Sequence, residues 1–102
     1  MEIINIHTKT LERLCQKYSV KRMYVFGSVT TPLFTQESDL DFLIDFDDKL
    51  DFATYANNFF LLQEELSNLF HRKIDLITEK SLRNPYLIES INASKKMIYG
   101  SE

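Results

Sequence analysis

The sequence predicts an α/β (α+β) fold: a small mixed β-sheet with helices packed on it. Three observations lead there. Short β-rich runs alternate with stretches of helical period over the whole chain. A long amphipathic segment lies between two apolar runs, the pattern of a crossover helix joining parallel strands. The 102 residues contain no repeat, low-complexity tract or Pro/Gly/Ser linker, so residues 1–102 read as one domain with one core.

Leu11, Leu14, Cys15 and Tyr18 fall at i, i+3, i+4 and i+7 and predict a helix over 5–18. Lys21–Phe26, β-branched and aromatic, predicts a strand ended by Gly27. Residues 28–38 form a connection with room for one helical turn. Asp39–Phe46 is a second strand, followed by a turn at Asp47–Lys49. Asp51–Phe70 is the longest helix, with Phe52, Tyr55, Ala56, Phe59, Leu62, Leu66, Leu69 and Phe70 at helical period. Lys73–Ile77 is a third strand. Asn84-Pro85 has the form of an N-cap followed by proline at the first helical position, with Leu87, Ile88 and Ile91 as the buried face. Lys96–Tyr99 is a short edge strand, flanked by lysines that discourage further pairing. The crossover makes strands two and three parallel. Gly27 meets their starts only if strand one runs antiparallel to them.

Composition excludes several function classes. Twelve basic and fifteen acidic residues leave a net charge of −3, so there is no footprint for general nucleic-acid binding. No apolar run is long enough for a transmembrane helix and no secretory signal is visible. The single cysteine, Cys15, cannot form an internal disulfide, and a cytoplasmic location is the expectation. The charge is also uneven. Residues 37–51 hold seven of the fifteen acidic residues and one lysine. Such a concentration repels itself unless solvent, a cation or a local function answers it.

Gly27 is one of two glycines, and it directly follows a strand. A backbone that must approach a phosphate, or adopt positive φ, needs a residue without Cβ. Ser28 adds a hydroxyl that could cap a following turn. An ordinary strand-ending turn is the plainer alternative. Asp39-Leu40-Asp41 is the stronger signal. In a strand, residues i and i+2 share a face about 6.6 Å apart. Two carboxylates so placed repel each other unless a cation lies between them, and oxygen-only ligands favour Mg²⁺ or Mn²⁺. The alternative is a solvated strand end. Asp75 lies between Ile74 and Leu76, where an ionised carboxylate is costly. On a neighbouring strand it completes a set, Asp39, Asp41 and Asp75, able to hold two metals about 3.5–4 Å apart for phosphoryl transfer. The alternative pairs Asp75 with Arg72 or Lys73.

Other residues read as structural. Phe52, Phe59 and Phe70 are assigned to the core, and Phe60 and Tyr55 to positions off its stripe that, if exposed, would favour a partner surface. His7 and His71 have no spaced partners. Cys15 reads as a buried small hydrophobe. Asp45, Asp47, Asp48 and Asp51 are assigned to a turn and a helix N-terminus.

The stretches Val25-Phe26-Gly27-Ser28, Ser38-Asp39-Leu40-Asp41-Phe42-Leu43-Ile44 and Lys73-Ile74-Asp75-Leu76-Ile77-Thr78 resemble the DNA polymerase beta-like nucleotidyltransferase superfamily. Within it, nearly the whole chain resembles the minimal nucleotidyltransferases (MNT). The resemblance implies the nucleotidyltransferase fold and transfer of AMP from ATP. By matching position, Gly27 and Ser28 would cradle the triphosphate. Asp39 and Asp41 would bind its Mg²⁺, and with Asp75 a second Mg²⁺ that activates the acceptor hydroxyl. Asp75 would also be the general base. Many such proteins are antitoxins that add AMP to a tyrosine of an all-helical HEPN-domain ribonuclease toxin. The resemblance therefore implies a hetero-oligomer and a protein substrate; 102 residues leave no room for the acceptor domain of tRNA- or antibiotic-modifying relatives.

One departure stands out. Where the family commonly has Arg-Gly after the Gly-Ser pair, this chain has Thr31-Pro32. Losing a cation that faces a triphosphate would weaken nucleotide binding by about a few kcal/mol. Thr30, Thr31, Arg22, Lys73 and Arg83 are the candidates to compensate. A catalytically weak or inactive module that neutralises its partner by binding alone is the alternative.

Overall fold

A computed structural model describes residues 1–101 of the chain. The elements in order are α1 (Glu2–Asn5), α2 (Thr8–Lys17), β1 (Val20–Phe26), a 3₁₀ turn (Gly27–Thr30), β2 (Leu40–Phe46), α3 (Phe52–Phe70), β3 (Ile74–Thr78), a second 3₁₀ turn (Glu79–Ser81), α4 (Pro85–Ser94) and β4 (Lys96–Tyr99). The sheet order is β3-β2-β1-β4. β1 is antiparallel to both β2 and β4, and β2 is parallel to β3 through the α3 crossover. This is the predicted mixed sheet, and β4 is an edge strand as expected.

The pleat divides the core. Met23 and Val25 of β1, Phe42, Ile44 and Phe46 of β2, and Ile74 and Leu76 of β3 face α2 and α3, where Leu11, Leu14, Cys15, Leu62, Leu66 and Phe70 cover them. The opposite face is smaller, with Tyr24, Phe26 and Leu43 beneath Ile91 of α4. Alternation along β2 then assigns Asp41, Leu43 and Asp45 to the α4 face. Burial pushes the Cys15 thiol up to about 12, with Glu12 adding to it, so Cys15 is an inert apolar group.

Several element ends differ from the sequence reading. The first helix is broken at Ile6-His7, because Asn5, Ile6, His7 and Thr8 are all poor helix formers. The Thr8 hydroxyl donates to the Asn5 carbonyl (2.9 Å), an alternative to helix continuation. Asp51 is the N-cap of α3, its Oδ1 accepting from the Thr54 amide at 2.7 Å. Asn84 caps α4 as predicted, accepting from the Tyr86 and Leu87 amides. Phe52, assigned to the core, is 84% exposed at the first position of α3. Leu87 is likewise exposed, leaving Ile91 as the buried residue of α4. Phe59 and Phe70 do join the core. Phe60 is 67% exposed, whereas Tyr55 packs edge-on against Phe46 (ring centroids 4.9 Å). Among the described residues, no helix is long and apolar enough to cross a membrane.

Candidate active site

The sheet brings together Gly27, directly after β1, Asp41 of β2 and Asp75 of β3. Antiparallel pairing sets Phe26, the last residue of β1, opposite Asp41. Parallel pairing sets Asp41 level with Asp75. Gly27 follows at φ +74°, and a Cβ built on it would lie 2.4 Å from Asp41 Oδ2. Glycine is thus required twice here, for its backbone angle and for the space the Asp41 carboxylate occupies. The C-terminal end of α4 closes this corner: the Gly27 amide donates to Ser94 Oγ at 3.3 Å. Nothing in the local sequence around Ser94 signals that role, which depends on where α4 ends.

The three carboxylates differ in surroundings. Asp41 is half-buried within β2. Burial, then Asp75, then Asp39 raise its carboxyl from 3.8 to about 6. Asp75 is exposed although its neighbours Ile74 and Leu76 are buried, because it points to the opposite face. The burial cost expected for it therefore does not arise, and its significance rests on its register with Asp41. Asp39 stands just outside β2, exposed, with Lys73 Nζ 3.8 Å from its Oδ2. The predicted strand start at Asp39 thus lies one residue early.

Among the described residues, no group of three or more His, Cys, Asp or Glu side chains is gathered closely enough to hold a metal ion. Asp75 and Asp39 are nonetheless close enough to Asp41 to raise its carboxyl, and Lys73 contacts Asp39. The donor set still suits Mg²⁺, which takes one or two carboxylates and completes its shell with water and substrate phosphates rather than a closed protein cage. The Asp41 carboxylate packed against Gly27, with its level neighbour Asp75, is the charge that a cation bound there would relieve.

The 3₁₀ turn uses its own hydroxyls. Thr30 Oγ1 donates to the Gly27 carbonyl (2.7 Å) and Thr31 Oγ1 to the Ser28 carbonyl (2.8 Å). Both protons are spent inside the turn. Ser28 lies within the turn and does not cap it; the N-cap position is Phe26 and carries no side-chain cap. Of the three cations named as compensators, only Lys73 stands at the site. Arg22 Nη2 is 2.7 Å from Asp45 Oδ2 and 3.4 Å from Glu79 Oε2. Arg83 Nη1 donates to the Lys80 and Leu82 carbonyls. Asp45 lies inside β2, as the predicted strand Asp39–Phe46 requires, but it is 6% exposed rather than one of the solvated acids of a turn. It is buried because register sets Arg22 opposite it on β1.

The chain resembles several known proteins. The protein MJ1379 of Methanocaldococcus jannaschii, provisionally named a protein adenylyltransferase, is 38% identical over 90 residues, covering 88% of this chain and 85% of the relative. A solved toxin–antitoxin complex with AMP-PNP superposes with a TM-score of 0.71 at 20% identity, over 93% of this chain and 74% of that chain. A complex of tri-AMPylated HEPN toxin with MNT antitoxin from Shewanella oneidensis gives 0.66 at 18% identity, over 95% and 72%. At those identities the two structures speak to the fold. Residues 7–98 match the nucleotidyltransferase domain, so the site at Gly27, Asp41 and Asp75 belongs to a chain that is a member of that family.

Proposed function

We propose that the chain, acting as one nucleotidyltransferase domain, is a Mg²⁺-dependent protein adenylyltransferase. It transfers AMP from ATP to a tyrosine hydroxyl of a HEPN-domain toxin and acts as its antitoxin. The observation that carries this is the level pair Asp41 and Asp75 beside a glycine whose Cβ would collide with the Asp41 carboxylate. The relative named for protein adenylylation and the fold shared with an AMPylated toxin complex support the acceptor class. The fold shared with the AMP-PNP complex supports ATP as donor.

In this reading Asp39 and Asp41 would hold the Mg²⁺ of the triphosphate, and with Asp75 they would hold a second ion. Bound there, Mg²⁺ would neutralise phosphate charge and lower the pKa of the acceptor hydroxyl. The Gly27 backbone, without a side chain, lets the polyphosphate approach the sheet. Ser28 offers it a hydroxyl. Asp75, exposed at the mouth of the site, takes the proton of the acceptor. The acceptor oxygen bonds to the α-phosphorus, the α–β phosphoanhydride bond breaks, and pyrophosphate leaves. Level presentation of Asp41 and Asp75 by two hydrogen-bonded strands supplies alignment. Only Phe60 of the pair Phe60 and Tyr55 is exposed, so the joint exposure expected of a partner surface is not met, and the partner class rests on the relatives instead. The lone buried thiol suits a reducing cytoplasm.

The test incubates the chain with α-labelled ATP, Mg²⁺ and a purified HEPN partner. Label on the partner, lost in Asp39→Ala and Asp41→Ala, supports transfer. A second reading has an observation of its own: the Thr30 and Thr31 protons are consumed within the turn, leaving Lys73 as the one cation of those weighed that stands at the site. If neutralisation survives both substitutions with no label transferred, the chain is an antitoxin by binding alone.

A further inference from the structure

Of the three carboxylates, Asp39 alone stands outside a strand, at the end of the connection 31–39. We infer that Arg72 is the positioning residue that holds this connection and so aims Asp39 at the metal; the inference rests on the nucleotidyl-transfer reading above. Arg72 Nη1 donates to the Ser38 carbonyl at 2.9 Å and to the Thr35 carbonyl at 3.1 Å. Its guanidinium lies over the Phe34 ring, 4.7 Å from the centroid. Three residues of the connection are thereby fixed by one side chain. Arg72 is itself anchored. Its carbonyl accepts from Ser67 Oγ of α3 at 3.3 Å, and the next residue, Lys73, accepts the Leu40 amide at 3.1 Å. Its Nε is buried without a hydrogen-bond partner, while the side chain as a whole is half-buried. A planar donor that stacks and bonds at once is a task lysine performs poorly. The bonded carbonyl of Ser38 belongs to the residue directly before Asp39, so a loosened connection lets the Asp39 carboxylate wander.

Charge and position pull in opposite directions, which makes the idea testable. Removing a positive charge bonded to the residue before Asp39 would by itself strengthen Mg²⁺ binding. Losing the clamp weakens it. The experiment measures binding of AMP-PNP as a function of Mg²⁺, without turnover, together with amide hydrogen exchange over residues 34–39, in the wild type, Arg72→Lys and Arg72→Ala. The expected result is faster exchange over 34–39 with α3 unaffected, and a Mg²⁺ requirement raised about tenfold in Arg72→Ala. Arg72→Lys falls between, and excess Mg²⁺ restores binding in both. Should Arg72→Ala fail to fold, Arg72→Lys carries the comparison. An unchanged or lowered Mg²⁺ requirement in a folded variant, beside normal wild-type binding, overturns the role of Arg72. A wild type that binds no AMP-PNP at any Mg²⁺ concentration overturns instead the nucleotidyl-transfer reading on which it rests.

Discussion

Asp41→Asn should stabilise the metal-free protein while removing its activity. The substitution keeps the shape of the side chain and deletes the charge. In the folded chain the Asp41 carboxyl is raised from 3.8 to about 6, first by burial, then by Asp75 and Asp39. Two pKa units correspond to about 3 kcal/mol, the ceiling for the cost of ionising Asp41 in the fold. Solvent at a half-buried site screens part of it, so about 1–2 kcal/mol is expected. The sign follows from linkage. The native state binds this proton more tightly than the unfolded state, so stability falls as pH rises from about 4 to about 6 and stays reduced above. The asparagine variant should therefore melt about 5–10 °C above wild type at pH 7.5 in EDTA. The gap should close toward pH 4, where both side chains are neutral. Adding Mg²⁺ and AMP-PNP should reverse the order, since only the wild type gains a ligand. Thermal melts at pH 4 and 7.5, with and without ligand, decide the matter. A variant no more stable than wild type at pH 7.5, or a gap independent of pH, would refute the electrostatic argument.

Three further expectations test the surroundings. Gly27→Ala combines strain at φ +74° with a collision against Asp41 Oδ2 and should cost about 1–3 kcal/mol in chemical denaturation, with nucleotide binding lost even where the variant folds. Arg22→Ala strands the buried Asp45 and should destabilise by about 3 kcal/mol, read by urea titration, whereas Arg22→Ala combined with Asp45→Ala should recover part of that loss. Asp51→Ala removes the cap of α3 and should cost about 1 kcal/mol in the same titration while leaving AMP transfer intact, because α3 begins at the end of the sheet away from the carboxylates.

The legible parts of the sequence were those with a local physical signature. The helical stripe of Leu11, Leu14, Cys15 and Tyr18 fixes the buried face of α2, and Asn84-Pro85 fixes the start of α4. The crossover length gave the β2–β3 direction, and the demand that Gly27 meet the acidic strand starts gave that of β1. What escaped depends on where elements end relative to one another. Phe52 satisfies the helical period of α3 yet, as its first residue, stays exposed. Asp45 belongs to an acidic run that looks solvated, and only the register with Arg22 buries it. Asp75 sits in an apolar sequence, but the pleat turns it outward. The break at Ile6-His7 could have been read from four consecutive weak helix formers. Arg72 and Ser94 act through backbone groups far along the chain, a kind of contact that side-chain patterns do not encode.

The central claim is that Asp39, Asp41 and Asp75 share a metal-bound triphosphate lodged against Gly27. A crystal structure with AMP-PNP and Mn²⁺, collected at the manganese absorption edge, tests it most directly. The account predicts anomalous density among the three aspartates, with the polyphosphate over Gly27-Ser28. Nucleotide or manganese found elsewhere, or Asp75 turned away from both, would contradict it.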